Sequence, residues 1–249
     1  TVVVGDLVFV VFGEQTNLSA STVTDNLGNI YSATNAGTDA GQSSGRAFYS
    51  IVTVAGTLTT VTVVASAGSF DWAGLAAVIG GPFLAAAIDT NAANITSDIT
   101  SPLTCPSTGT LSQAREVVIS WGAAPNSGDW NATWPNLLAG NSSFVGNIKV
   151  AIGYQAVSAT TAVQPEFTVA SNPPDCTLGT TSFYAGAATY NVTGTDATLR
   201  RNLPLVAGAG SYTITGTNAS VLHQWRVSAG AGSYSITGTA ASLFHSWKI

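Results

Sequence analysis

The chain has 249 residues, a net charge of −5 at pH 7 and only 8% charged residues, against about 25% in a typical soluble domain. Apolar residues make up 45% of it, and aromatic residues occur along its whole length, which excludes an intrinsically disordered chain. The longest apolar stretch, residues 75–88, is interrupted by Gly80-Gly81-Pro82, so no membrane-spanning segment is predicted.

Residues 1–184 are predicted to form short β-strands separated by turns, without an amphipathic helix. The first strand is the apolar run LVFVVF at 7–12. The sequence DNLGN at 25–29 is typical of a hairpin turn, because Asp, Asn and Gly tolerate positive φ angles. Further strands are predicted where apolar and β-branched residues cluster, at 47–54, 58–64, 75–79, 117–121, 148–154 and 166–170. We therefore predict that residues 1–184 form one all-β domain, an antiparallel β-sandwich of the jelly-roll type.

Two cysteines, Cys105 and Cys176, lie beside prolines and therefore at loop edges. They are 71 positions apart (176 − 105), so a bridge between them would stabilise the fold by roughly 4 kcal/mol in the chain-entropy model. We predict a disulfide, formed within one chain or between subunits. The alternative is a pair of reduced thiols in a protein assembled in a reducing cytosol.

Residues 125–143 form the most irregular part of this domain, rich in Asn, Gly and Pro, and they carry Trp130 and Trp134. Such a composition is typical of an exposed loop. Because exposed aromatic rings can stack on sugars, Trp130 and Trp134 are the candidate glycan-binding residues. The alternative is a loop that folds back over the edge of the sandwich.

Two sequence patterns could indicate catalysis, and neither forms a complete catalytic site. Residues 41–45 match the G-x-S-x-G pattern of a hydrolase nucleophile, but no histidine precedes His223. Glycoside hydrolysis needs two converging carboxyl groups, and the only plausible pair is Glu116 with Glu166, each of which opens a predicted strand. We predict no catalytic residue.

Two groups of residues could bind a metal. Asp25, Asn26 and Asn29 offer oxygen ligands for Ca²⁺ but lack the spacing of a calcium-binding loop, so an Asx turn is the better interpretation. His223 and His245 lie one repeat apart, without a Cys or carboxylate at matching positions to complete a metal site. No metal or cofactor is predicted.

The C-terminal part of the chain repeats itself, with equivalent residues 22 positions apart (212 − 190 and 234 − 212 for the tyrosines). The units contain AATYNVTGT at 187–195, AGSYTITGT at 209–217 and AGSYSITGT at 231–239. Apolar and hydroxyl residues alternate within each unit, which predicts a strand, a turn and a second strand. Residues 185–249 are therefore predicted to form an arm of three β-hairpin repeats, which stack on each other or on other chains because one hairpin cannot bury its apolar face.

Bulky side chains recur at equivalent positions of the repeats and are predicted to form an assembly interface. They are Tyr190, Tyr212, Tyr234, Trp225, Trp247, Val221 and Val227. Such an apolar face needs a partner surface, and identical chains around a symmetry axis would supply one, which favours a homotrimer.

The two parts of the chain differ in charge. Residues 1–184 carry eleven acidic and three basic residues, a net charge of −8, whereas residues 185–249 carry one acidic and four basic residues, a net charge of +3. A basic arm can dock on an acidic partner, but four dispersed bases are too few for nucleic-acid binding.

Several of these segments carry a resemblance to known proteins. GDLVFVVFG (5–13), TDNLGNIYSAT (24–34), RAFYSIVTVAGTLTTVTVV (46–64) and REVVISWGA (115–123) resemble a β-sandwich domain common in structural proteins of tailed phages and prophages. AGAGSYTITGTNASVL (207–222) and AGAGSYSITGTAASLF (229–244) are similar to repeats at the C-termini of phage virion proteins.

This resemblance implies a non-enzymatic virion structural protein, an oligomeric capsid decoration or fibre protein whose repeat arm mediates assembly or attachment. Its partners would be itself, as a homotrimer, and other virion proteins such as the capsid. Its location would be the surface of the phage particle, or otherwise the extracellular space. The alternative is a carbohydrate-binding adhesin or receptor-binding module whose Trp130 and Trp134 bind a host-surface glycan. Neither hypothesis involves a nucleic acid or a membrane.

Overall fold

A computed structural model describes residues 1–14, 21–38, 44–65, 72–97, 100–125, 129–132, 137–142, 148–171, 173, 175–185, 189–201, 211–223, 233–237 and 240–245. All regular secondary structure in these ranges consists of β-strands, so the prediction of an all-β chain is confirmed. None of the described segments is a helix long and apolar enough to cross a membrane. The chain divides into two compact units, Thr1–Tyr184 and Ala185–Ile249, called here the body and the arm.

The first large sheet of the body has the strand order β3-β4-β1-β6. Its strands are β1 (Leu7–Glu14), β3 (Ser32–Thr38), β4 (Ser44–Ile51) and β6 (Trp72–Ile79). All pairings are antiparallel, with Val10 of β1 opposite Phe48 of β4 and Ala76 of β6. A small antiparallel sheet is formed by β2 (Ser21–Asp25) and β5 (Val61–Ala65).

The second large sheet has the order β11-β12-β9-β14-β7. Its strands are β7 (Phe83–Ser97), β9 (Glu116–Pro125), β11 (Leu137–Ser142), β12 (Ile148–Val157) and β14 (Asp175–Ala185). The central strand β9 pairs antiparallel with β12 and β14. A second small sheet has the order β10-β13-β8 and consists of β10 (Trp130–Ala132), β13 (Glu166–Val169) and β8 (Leu103–Thr104).

The largest hydrophobic core lies between the two large sheets. It contains alternate residues of β1 and of β9, namely Leu7, Phe9, Val11, Val117, Ile119, Trp121 and Ala123. Phe183 of β14 lies among them, with ring centroids 6.0 Å from Phe9 and 5.2 Å from Tyr49. Aromatic pairs at these separations stabilise a core beyond the area that they bury.

Each large sheet also packs against a small sheet, which covers its other face. Val8 and Val10 of β1 pack with Val23 of β2 and its neighbours on β5. Leu178 of β14 packs with residues of the β10-β13-β8 sheet. As a result β1, β9 and most of β14 are buried on both faces, which explains why LVFVVF has no polar alternation. The predicted antiparallel sheets are confirmed, and the two small covering sheets were not predicted.

The arm consists of parallel strands. They are β15 (Thr189–Arg201), β16 (Ser211–His223), β17 (Ser233–Thr237) and β18 (Ala240–His245). Each paired residue of β16 lies opposite the residue 22 positions earlier in β15 or 22 positions later in β17 or β18, so Tyr212 lies between Tyr190 and Tyr234. Among the described residues of the arm, the structure therefore differs from the predicted hairpins, because neighbouring units pair with each other and the two halves of one unit do not.

Chain connectivity indicates a bend in the first unit of the arm. Thirteen residues in a straight strand would span about 40 Å, whereas the ten steps from Arg201 to Ser211 reach at most about 36 Å. Ser211 nevertheless pairs with Thr189 at the start of β15. The pairing is interrupted at Thr195, next to Gly194, so we place the bend there.

Candidate functional site

A pair of carboxyl groups, Asp89 and Glu116, lies at one edge of the second large sheet. Glu116 is the first residue of the central strand β9, where it lies opposite Tyr184 of β14 and Val157 of β12. Asp89 lies on β7, at the far side of β14 in the strand order. The sheet thus brings together two acidic residues that are 27 positions apart in the sequence (116 − 89).

The Asp89 carboxylate is held by three hydrogen bonds. Oδ1 accepts from the Tyr184 hydroxyl at 2.5 Å and from the Ser112 hydroxyl. Oδ2 accepts from the Ser112 backbone N–H at 2.9 Å. Burial by itself would raise the pKa of Asp89, but the hydrogen bonds from Ser112 and Tyr184 outweigh it and hold that pKa below its ordinary value. Asp89 is therefore the charged member of the pair.

The pKa of Glu116 is shifted in the opposite direction, above its ordinary value. Its side chain is completely buried, and this burial is the main cause that raises its pKa, with a further contribution from the negative Asp89. Hydrogen bonds from Ser182 and from the Gln113 backbone N–H, at 3.3 Å to Oε1, oppose the shift without cancelling it. Within the described part of the chain, no donor reaches Oε2. A proton on Oε2 removes this unsatisfied acceptor and provides a donor for Asp89.

The pair can hold a proton, but its geometry does not suit catalysis. Environments that separate two carboxyl pKa values are typical of acid–base sites. A general acid must, however, reach the group that it protonates, and Glu116 has no exposed surface. Next to it, Thr90 of β7 bonds Ser182 of β14 through its N–H (3.1 Å) and its hydroxyl (2.9 Å). These contacts attach β7 to the sheet and indicate a structural role.

The carboxyl pair considered from the sequence, Glu116 with Glu166, is not formed. Glu166 lies on β13 in the small sheet and accepts a hydrogen bond of 3.5 Å from Thr104, whereas Glu116 lies in the second large sheet. Residues 41–43 of the G-x-S-x-G pattern lie outside the described residues. Sequence reasoning missed Asp89 as the partner of Glu116. The available signal was that each acid directly adjoins a long apolar run, FLAAAI before Asp89 and VVISW after Glu116.

Trp130 is buried, contrary to its prediction as an exposed glycan-binding residue. It has 0% exposure and packs edge-to-face on Phe167 of β13, with ring centroids 5.3 Å apart. The ring lies over Gly122 of β9, where a Cβ atom would come within 2.3 Å of it. A buried ring cannot stack on a sugar, so Trp130 is a core residue. Trp134, the other glycan-binding candidate, lies outside the described residues.

The Asp25 turn is satisfied by its own hydrogen bonds. Asp25 Oδ1 accepts from the backbone N–H groups of Leu27 (2.8 Å) and Asn29 (3.1 Å). Oδ2 accepts from Asn29 Nδ2 and from the Tyr31 hydroxyl, both at 3.0 Å. These bonds outweigh burial and lower the pKa of Asp25, while burial and Asp25 together raise the pKa of Tyr31. The arrangement is an Asx turn, the interpretation preferred from the sequence.

The two cysteines lie in one hydrophobic core. Cys105 and Cys176 are both buried and belong to the cluster that contains Trp130 and Phe167. They are not joined by a disulfide in the structure. The sequence placed them at loop edges; Cys105 directly follows β8, and Cys176 is the second residue of β14.

The arm brings some of the predicted interface positions into columns. Tyr190, Tyr212 and Tyr234 occupy equivalent register positions, and Val221 pairs with Leu199 and Leu243. Trp225, Val227 and Trp247 lie outside the described residues. The assembly interface stays a prediction.

Comparison of the chain with protein-family models, with curated proteins and with solved structures finds no match.

Proposed function

We propose that this chain is a non-enzymatic structural protein of a tailed-phage virion, an oligomeric capsid decoration or fibre protein whose arm mediates assembly or attachment. The observation that carries the proposal is the pairing of the arm, in which every described pair joins residues 22 positions apart. The resemblance of the body and of the repeats to phage virion proteins supplies the biological setting.

The arm has the features of an assembly element. Stacked repeats form a quasi-one-dimensional structure in which each unit contacts only its neighbours. Among the described strands, β16 has partners on both sides, whereas β15 pairs with β16 alone. A parallel strand with one unpaired edge presents backbone N–H and C=O groups to another chain. A second copy of the arm offers the same repeat and the same strand length.

The body suits a rigid block with few exposed charges. The central strands β1 and β9 of its two large sheets are buried on both faces, and the finer expectation of a jelly-roll-like β-sandwich is part of this proposal. The body carries a net charge of −8 and the arm +3. This opposition favours contacts between the arm and an acidic partner such as the capsid, which weaken as salt screens the charges. A homotrimer at the particle surface satisfies both the repeat pairing and the charge distribution.

Sedimentation of the full chain tests the proposal, with one substitution in the central arm strand. Thr213 lies in β16 between Asn191 and Ser235. Thr213→Pro removes a backbone donor from a strand that is paired on both sides, whereas Thr213→Val retains that donor and is the matched control. We expect the wild type and Thr213→Val to sediment as the same oligomer and Thr213→Pro as a smaller species with an unchanged body.

A wild-type monomer at micromolar concentration, or an unchanged oligomer in Thr213→Pro, would contradict the assembly role. In particles that carry the protein, quantitative mass spectrometry separates the two virion roles. Hundreds of copies per head indicate decoration, and a few copies per tail indicate a fibre.

A further inference from the structure

Cys105 and Cys176 approach the same core from two different sheets. Cys105 directly follows β8 of the small sheet, and its backbone N–H donates to the Pro165 carbonyl at 2.8 Å. Cys176 lies on β14 of the second large sheet, one residue before Thr177, which pairs with Ala123 of β9. A hydrogen bond therefore fixes the backbone at Cys105, and strand pairing fixes it next to Cys176.

The environment of both thiols is apolar and closed. Cys105 is 1% exposed and Cys176 is 0% exposed. The same core contains Leu103, Trp130, Phe167 and Leu178, none of which is a metal ligand. A structural zinc site needs four ligands, usually cysteine or histidine, and no group of three His, Cys, Asp or Glu residues occurs among the residues that the structure describes.

The two sulfur atoms are also electrostatically coupled. Burial is the main cause that raises the pKa of Cys105 well above its ordinary value, and the negative charge of an ionised Cys176 raises it further. Both cysteines also belong to one buried cluster of the core. The two thiols therefore lie among the same apolar side chains, between the small sheet and the second large sheet.

We propose that Cys105 and Cys176 are a modification site, at which oxidation forms an intrachain disulfide that fastens the β10-β13-β8 sheet to the second large sheet. The reaction is thiol–disulfide exchange with a low-molecular-weight disulfide such as oxidised glutathione. One thiolate attacks that disulfide, and one reduced thiol leaves. The second cysteine then attacks the mixed disulfide, and a second reduced thiol leaves. Two electrons and two protons pass from the cysteine pair to the oxidant.

The bond would act on the part of the body that has the least regular structure of its own. The small sheet has strands of two to four residues, and isolated strands of this length are not stable alone. A covalent link between positions so far apart in the sequence restricts the unfolded chain and so stabilises the folded one. Because both thiols are buried and neutral, exchange in the native protein is slow, and the bond forms fastest before the small sheet has closed over β14.

Peptide mapping of the full chain tests the proposal directly. Arg115 and Lys149 lie between the cysteines, so trypsin separates peptide 47–115, which contains Cys105, from peptide 150–200, which contains Cys176. The chain is unfolded, refolded with a mixture of reduced and oxidised glutathione, alkylated and digested without reduction. We expect one linked pair of these peptides, which separates on reduction, and a thermal midpoint of the oxidised protein above that of the reduced protein.

Single substitutions serve as controls for the assignment. Cys105→Ser and Cys176→Ser each remove the linked pair, and their midpoints should not change with the glutathione mixture. The comparison of oxidised with reduced wild type requires neither variant to fold. Recovery of both peptides as alkylated thiols, as glutathione adducts or as links between two chains would overturn the proposal. An intrachain link that lowers the midpoint would also overturn it, because the bond would then strain the core.

Discussion

The buried carboxyl group of Glu116 should make the stability of the body depend on pH, and Glu116→Gln isolates this effect. Glutamine has nearly the same size and cannot ionise. Its amide N–H can donate to Asp89, whose hydrogen bond with Glu116 contributes to the pKa shifts of both residues. The substitution therefore preserves the contact while it removes the ionisation.

The sign follows from the direction of the pKa shift. The folded pKa of Glu116 is raised above its ordinary value of 4.5. Its contribution to stability is thus fully present below about pH 4.5 and is lost as the pH rises through the folded pKa. Asp89 has the opposite sign, because its folded pKa lies below the ordinary value of 3.8. Its contribution is present above that value and is lost as the pH falls, so a titration from pH 5 to 8 reports Glu116 and not Asp89.

The magnitude is set by the release of one proton. Between the two pKa values the folded state binds up to one proton more than the unfolded state. The free energy of unfolding therefore falls by at most about 1.4 kcal/mol for each pH unit of increase. For a domain of about 150–250 residues this is roughly 3–6 °C in Tm per pH unit. Above the folded pKa the slope disappears, because both states of the wild type are then ionised.

Thermal unfolding followed by circular dichroism between pH 5 and 8 measures this slope. The comparison includes Glu166→Gln, a control in which the altered carboxyl group lies on β13 and is partly exposed. We expect the difference in Tm between Glu116→Gln and the wild type to rise with pH and then to level off, while Glu166→Gln follows the wild type. A difference that is constant over this range, or that falls with pH, would refute a raised pKa of Glu116 in the folded state.

Three further predictions concern the body and the arm. Gly122→Ala should lower the free energy of unfolding in urea by about 1–3 kcal/mol, because its Cβ would come within 2.3 Å of Trp130. The control Gly74→Ala, whose Cβ would meet no atom closer than 3.8 Å, should change this free energy by less than about 0.5 kcal/mol. Asp25→Ala should cost about 1–3 kcal/mol by leaving partly buried donors unpaired, and should abolish the stability that the wild type loses as the pH falls through the lowered Asp25 pKa. Trp225→Ala should dissociate the oligomer in sedimentation, at about 3–5 kcal/mol for a fully buried ring, whereas an unaltered oligomer would exclude a central aromatic contact.

The sequence predicted individual strands better than the layers that they form. LVFVVF and VVISW lack polar alternation, which indicates strands buried on both faces. Of the shorter strands that cover them, β5 and β13 overlap the strands predicted at 58–64 and 166–170, whereas β8 and β10 were not predicted. The covering strands have two to five residues, and their sequences are largely polar or mixed. Their position depends on contacts such as that between Trp130 and Gly122, which only the folded chain defines.

The sequence also did not show which residues the fold brings together at the candidate site. Glu116 was recognised as an acid that opens a strand, but its partner was sought on another predicted strand, at Glu166. The actual neighbour, Asp89, lies on β7, and only the strand order β9-β14-β7 brings it close. Trp130 was interpreted from the composition of its loop, although an aromatic residue among polar residues can equally be the anchor that the loop buries.

The arm shows which sequence signal determines pairing. Alternation of apolar and hydroxyl residues indicates a strand, but it is the same for a hairpin and for a parallel stack. Identity between units distinguishes them. In a hairpin Tyr212 would face a residue from the second half of its own unit, so similarity between units would serve no pairing purpose. In a parallel stack Tyr212 lies between Tyr190 and Tyr234. A substitution in one unit then changes the residue with which the neighbouring units pair. Close similarity at a fixed period is therefore the feature that favours the stack, and it also provides the means by which a second copy of the arm could continue the same pairing.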